Sequence, residues 1–192
     1  MPFDALDQES DEMLLVAFGQ GDRAAAQELT RRLTPKVLGY ATRMLNDRAE
    51  AEDVTQDAML RLWKVSDQWR TGEAKVTTWL YRVVTNLCTD RLRKKRMVDI
   101  DAIQEPEDGA LSVEMSMVEQ ERQAALQAAL QELPERQRQA VVLRHIEGVA
   151  NPEIATIMDI SIEAVESLTA RGKRALAAIL AGKREELGYE NE

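Results

Sequence analysis

Two apolar stripes with helical spacing constrain this chain more than any other feature. Ala51, Val54, Ala58, Leu62 and Val65 recur at intervals of three and four residues, and Val76, Trp79, Leu80, Val83, Val84, Leu87 and Cys88 trace a second stripe. Side chains so spaced share one face of a helix with 3.6 residues per turn, and that face needs a partner to cover it. Charged residues make up 31 % of the 192, and Ala, Leu, Glu and Arg are abundant, which fits helices more than sheets. The expected fold is all-α: two small helical domains joined by an acidic flexible linker, the C-terminal one a helix-turn-helix.

Capping residues and prolines place the remaining elements. Asp22 suits the start of a helix over 23–46, in which Pro35 marks a break or kink, and Asp47 suits the start of another over 49–66. A loop containing Trp69 and Gly72 precedes a helix over 76–96. Further on, 118–132 and 134–147 read as helices, with Pro134 in a first turn. Asn151 is expected as an N-cap with Pro152 at the first helical position, and that short helix ends near Met158. Ser161 then caps a longer helix reaching about Leu180, and a short helix, a tight turn and a second capped helix make a helix-turn-helix. Between the two groups, Val98-Asp-Ile-Asp-Ala-Ile-Gln-Glu-Pro-Glu-Asp-Gly has no helical period, and its like charges favour an extended tether. The expected organisation is a domain over 11–97, a linker over 98–117 and a helix-turn-helix domain over 118–186, with Met1–Glu9 frayed.

Composition narrows the chemistry. The one Cys excludes an intrachain disulfide, and the one His excludes a two-histidine metal site. No GxGxxG, GxxxxGK[ST] or GxSxG motif occurs, so neither an enzyme nor any cofactor is expected. The first residues have no basic start or apolar stretch and are not expected to be a signal peptide. With no apolar run near the ~18 residues that span a bilayer, the chain is expected to be cytoplasmic, without membrane insertion. Cys88 reads as a small core residue, and His145 as a cap or core-edge residue.

The net charge of −9 conceals a strong pattern: residues 61–97 carry ten basic and three acidic side chains, whereas 98–121 carry eight acidic and no basic ones. An overall acidic protein therefore keeps a local basic block suited to nucleic acid. On the 76–96 helix the arc behind the apolar stripe holds Arg82, Thr85, Asn86, Thr89, Arg93 and Arg96, and five of the six residues from Arg91 to Arg96 are basic. Cations suit the negative end of a helix dipole, but five exceed that need, and Arg with Asn and Thr can bind phosphates and base edges. The 49–66 helix turns Asp53, Gln56, Asp57 and Leu60 outward. A leucine among carboxylates fits a protein-binding surface, or a solvated face with one stray apolar residue. In the last helix Val165, Leu168, Gly172, Ala175, Leu176 and Ile179 share one face, and Glu163, Ser167, Ala170, Arg171 and Arg174 the other. Periodicity alone leaves open an αα-hairpin with no DNA role.

Three segments, taken in order, resemble the extracytoplasmic-function group of bacterial sigma factors. They are Ala51-Glu-Asp-Val-Thr-Gln-Asp-Ala-Met-Leu-Arg-Leu-Trp, Thr78-Trp-Leu-Tyr-Arg-Val-Val-Thr-Asn-Leu-Cys-Thr-Asp-Arg-Leu-Arg-Lys-Lys-Arg, and Leu133-Pro-Glu-Arg-Gln-Arg-Gln-Ala-Val-Val-Leu-Arg followed by the helix-turn-helix. The resemblance covers about 20–186. It implies an alternative sigma factor that binds RNA polymerase core and directs promoter recognition, melting and transcription initiation, held inactive by an anti-sigma factor. It assigns Asp53, Gln56, Asp57 and Leu60 to polymerase binding. Asn86, Asp90, Arg91 and Arg93, with Arg82 and Arg96 beside them, fall to the minus-ten side of promoter DNA, and Trp69 lies in the loop where a base would be flipped out. Ser167, Arg171, Lys173 and Arg174 fall to the minus-thirty-five side. This chain departs from the family's common Val-Lys-Ser-Arg-Leu-x-Arg-Ala-Arg at Glu166 and Leu168. Leu168 is expected to take over a core position from Thr169, since both fall within the apolar arc, and Glu166 near a major groove would repel phosphate or accept from a cytosine amino group. The alternative is a stand-alone helix-turn-helix regulator, which would bind a palindromic duplex without polymerase.

Overall fold

A computed structural model describes residues 9–98 and 117–186, all of whose regular structure is helical. The expected Met1–Glu9 fray falls, apart from Glu9, outside the described residues, as does almost all of the expected linker. The chain divides into two compact units.

The N-terminal unit contains α1 (Asp11–Gly19), α2 (Arg23–Leu45), α3 (Arg48–Val65) with a 3₁₀ turn (Ser66–Gln68), and α4 (Val76–Val98). Helix α2 packs on α1, α3 and α4, and α3 also packs on α4. The core holds Leu14, Leu15, Leu29, Leu33, Tyr40, Met44, Val54, Leu62, Leu80, Val84 and Cys88. Both stripes thus face inward, although Val65, Trp79, Val83 and Leu87 are only half-buried. The expected caps form: Asp22 Oδ1 accepts from the Ala24 and Ala25 N–H groups, and Asp47 Oδ1 from that of Glu50. Helix α1, which the sequence reading did not delimit, is capped by Ser10, whose Oγ accepts from Met13 N–H. Pro35 does not end α2, which runs through it to a left-handed cap at Asn46. A proline inside a helix forfeits one hydrogen bond and crowds the preceding turn. The continuous buried face from Leu29 to Met44 on this helix offsets that loss.

A buried carboxylate ties α1 to α2. Glu28 is 7 % exposed and accepts from Arg31 and Arg32, and Arg32 in turn donates to the Glu9 carbonyl and to Asp11. Hydrogen bonds from Arg31, then Arg32, lower its pKa from 4.5 to about 2. A carboxylate held below its ordinary pKa stabilises the fold fully above about pH 4.5 and loses that contribution as pH falls towards 2. Glu28→Gln is expected to flatten the stability curve across that acid window, as measured by urea unfolding at a series of pH values.

The C-terminal unit contains α5 (Met117–Gln131), α6 (Glu135–Val141) continuing as a π-helical turn (Val142–Ile146), the Asn151–Ala155 part of α7 (Asn151–Met158), and α8 (Ile162–Glu186). Helix α8 packs on α5 and α6, over a core including Leu130, Leu133, Ala140, Val142, Leu143 and Val165. Three expectations change. The helix expected over 134–147 starts after Pro134, which is its N-cap, and its last part is π-helical. The N-cap of α7 is Ala150, with Asn151 first and Pro152 second in the helix. Alanine has no capping oxygen, so the Glu153 carboxylate does the work, accepting from Ala150 N–H at 3.4 Å. Helix α8 is capped by Ser161 as expected, its Oγ accepting from Ala164 N–H, and extends to Glu186. Asp159–Ser161 form the turn between α7 and α8, with Asp159 left-handed at φ +54°.

Candidate protein and nucleic-acid interfaces

Helix α3 presents Asp53, Gln56, Asp57 and Leu60 to solvent, because the opposite face carries the buried Ala51, Val54, Ala58 and Leu62. Leu60 is 56 % exposed, one of four large apolar side chains so exposed among the described residues. An apolar residue next to carboxylates and an amide on the preceding turns offers a partner both contact area and a charge to match.

Helix α4 sits against α3 and carries the basic surface. Arg82, Asn86, Asp90, Arg93 and Arg96 are exposed there. The structure sorts this arc more finely than periodicity does. Thr85, expected on the outer face, is 4 % exposed and shares a hydrogen bond of 2.9 Å with the Tyr40 hydroxyl. The arc is narrower than expected because α2 covers its edge. Arg93 pairs with Asp90 at 2.9 Å across one turn. Arg91 turns the other way and crosses to α3, donating to Glu50 with Asp53 Oδ2 4.0 Å away. The Glu50 hydrogen bond, working against partial burial and helped by Asp53 and Asp57, holds the Arg91 guanidinium more firmly protonated than an isolated one. Two of the expected nucleic-acid cations are therefore already matched to carboxylates, and Arg91 joins the two expected surfaces through its contact with Asp53.

Trp69 does not project from its loop. It is half-buried with its ring edge-on to Trp79, the centroids 6.1 Å apart and the planes at 87°. Its Nε1 is buried without a hydrogen-bond partner among the described residues. The loop beyond it is tied to α1, where the Glu12 carboxylate accepts from Gly72 N–H at 3.1 Å. Gly72 has φ +88°, a conformation in which glycine avoids the strain other residues incur. This tether escaped the sequence reading, since a single acid sixty residues away carries no local signal.

In the C-terminal unit α8 buries Val165 and Gly172 and exposes Ser167, Arg171, Lys173 and Arg174. Leu168 and Thr169 are both half-buried, so the expected displacement of Thr169 from the inner arc by Leu168 does not occur. Arg171 folds back on Ser167, donating to its hydroxyl at 2.9 Å and its carbonyl at 3.3 Å. His145 lies in the π-helical turn; partial burial, then the charges of Lys173 and Arg144, lower its pKa below the ordinary 6.5 and favour the neutral ring. Cys88 is fully buried in the stripe where it was expected. No helix among the described residues is long and apolar enough to cross a membrane.

Comparison with known proteins matches both halves. Residues 29–97 match the family model described as Sigma-70 region 2, and 123–176 that described as Sigma-70, region 4. The chain is 33 % identical over 182 residues to the RNA polymerase sigma-H factor of Pseudomonas aeruginosa, covering 89 % of this chain and 94 % of that one. It is 31 % identical over 176 residues to the ECF RNA polymerase sigma factor SigW of Bacillus subtilis, covering 82 % and 89 %. Among solved structures, the sigma factor RpoE in complex with the anti-sigma factor NepR from Bartonella quintana has the same fold. Its TM-score is 0.69 at 22 % identity, covering 81 % of this chain and 96 % of that one.

Proposed function

This chain belongs to the extracytoplasmic-function sigma factors, and on that premise we propose how its surfaces divide the work of an alternative sigma factor. The domain over 11–97 docks on RNA polymerase core through Asp53, Gln56, Asp57 and Leu60 of α3. The same domain engages the minus-ten element through Arg82, Asn86, Asp90, Arg91, Arg93 and Arg96, with Trp69 beside the opened strand. The linker over 98–117 leads to the domain over 118–186, whose α8 reads the minus-thirty-five element through Ser167, Arg171, Lys173 and Arg174. The work is done by binding, in the cytoplasm, without covalent catalysis. One observation supports this reading above the rest: an acidic face with an exposed leucine and a basic face lie on adjacent, packed helices of one unit.

The Bartonella quintana relative of this fold was solved with an anti-sigma factor, and we extend that kind of partner to this chain. An anti-sigma factor would cover the α3 face and so compete with core. The free protein binds duplex weakly, because its net charge is −9 and Arg91 and Arg93 are already paired.

Run-off transcription with bacterial core polymerase over a promoter library tests the reading. Promoter-selective transcripts are expected only when the protein is added, and Asn86→Ala is expected to reduce them about tenfold by removing one polar base contact. Equal transcription without the protein, together with polymerase-independent binding to palindromic duplex, would instead support the stand-alone regulator.

A further inference from the structure

The start of α8 carries a carboxylate that no partner among the described residues engages. At 100° per residue, the outward arc of this helix has Ser167 and Arg171 on one flank and Glu166 and Lys173 on the other. The neighbouring polar groups are occupied: Glu163 interacts with Ser161 and its own backbone N–H, and the Ser167 hydroxyl accepts from Arg171. Glu166 is exposed and makes no hydrogen bond or ion pair among the described residues.

We propose that Glu166 is a specificity-determining residue that selects cytosine at one position of the upstream promoter element. This rests on α8 being the helix that enters the major groove there. An ionised carboxylate only accepts hydrogen bonds, and phosphate oxygens repel it. Its favourable partners in the groove are therefore exocyclic amines, on cytosine N4 or adenine N6. The adenine amine lies between two acceptors, its own N7 and the paired thymine O4, which repel the carboxylate from both sides. The cytosine amine has an acceptor, guanine O6, on one side only. Glu166 sits in the second turn of the helix, the part that reaches base edges when a recognition helix docks by its N-terminal end.

The test is run-off transcription by the reconstituted holoenzyme on templates with a randomised upstream element and a fixed minus-ten element, read by sequencing. Wild type is expected to favour cytosine about tenfold at one position. Glu166→Ala should lose that preference while keeping the others, and Glu166→Lys should move it to guanine, whose O6 and N7 accept from an ammonium. Both variants change an exposed helical side chain, and holoenzyme assembly by gel filtration checks that they fold. If Glu166→Ala raises the yield evenly on every template and leaves each base preference in place, Glu166 only repels phosphate and the proposal is overturned. Selection of adenine at that position overturns it too. Failure of the underlying reading looks different: the yield would be indifferent to the upstream element and to Arg171→Ala alike.

Discussion

Asp53→Arg is expected to abolish promoter-selective transcription while leaving the protein folded. Asp53 is two-thirds exposed at its side chain and contributes nothing to the core, so its replacement creates no cavity. What changes is the sign of charge at the N-terminal edge of the α3 face, where a partner matched to carboxylates would meet a guanidinium. Like charges brought together in an interface cost several kcal/mol, which lowers core-dependent transcription about a hundredfold. The new cation would also stand beside Arg91, which lies 4.0 Å from the native carboxylate. A modest destabilisation is expected from that source, about 0.5 kcal/mol as for exposed pairs. Leu60→Asp gives an independent check, since it removes the apolar contact without placing a cation near Arg91. Both variants should lose binding to immobilised core while keeping wild-type helical circular dichroism. Full binding by both would remove α3 from the docking surface.

Gly172→Val should cripple the C-terminal unit, and Gly182→Ala on the same helix should strengthen it. Glycine in a helix interior ordinarily weakens it by about 1 kcal/mol relative to alanine. At Gly182 nothing lies within 4 Å of an added Cβ, so Gly182→Ala is expected to recover about that amount. At Gly172 the same atom would lie 2.6 Å from Val141 Cγ2 and 3.2 Å from the Gln137 carbonyl oxygen. The glycine is what lets α8 approach α6 so closely. Valine there adds two further methyls to a packed junction, and overpacking of that kind costs about 3 kcal/mol. Differential scanning calorimetry of the full chain should show the C-terminal transition about 10–20 °C lower for Gly172→Val and about 4–8 °C higher for Gly182→Ala. Recognition of the upstream element should fail with the first at temperatures where wild type still transcribes. A Gly172→Val protein with unchanged melting would mean that the two helices meet elsewhere.

Sequence periodicity located α3 and α4 and their outward arcs because each has one wide buried face and many polar residues behind it. It failed where a neighbouring helix decides what counts as outside. Thr85 lies on the polar arc by angle, yet α2 brings the Tyr40 hydroxyl over it. Arg91 lies among nucleic-acid cations by composition, yet Glu50 and Asp53 from another helix draw it across. Local rules also missed one end. Asn151 is a strong capping residue, but Ala150 takes the position because Glu153 can reach back from the third residue of the helix. Pro35 is a helix breaker overruled by burial on both sides of it. Asp53, Gln56, Asp57 and Leu60, and Ser167, Arg171, Lys173 and Arg174, are exposed where helical geometry alone puts them.

The bridge from Arg91 to Glu50 and Asp53 gives the two faces of the N-terminal unit one charge in common. A cationic partner that draws Asp53 towards itself weakens the hold on Arg91, leaving that guanidinium more available to an anion. By reciprocity, an anion that captures Arg91 leaves the α3 carboxylates less neutralised and more attractive to the cationic partner. The free energy of each event contains the other, with the sign of positive cooperativity. Shared custody of one arginine thus gives the molecule a way to prefer both ligands together over either one alone.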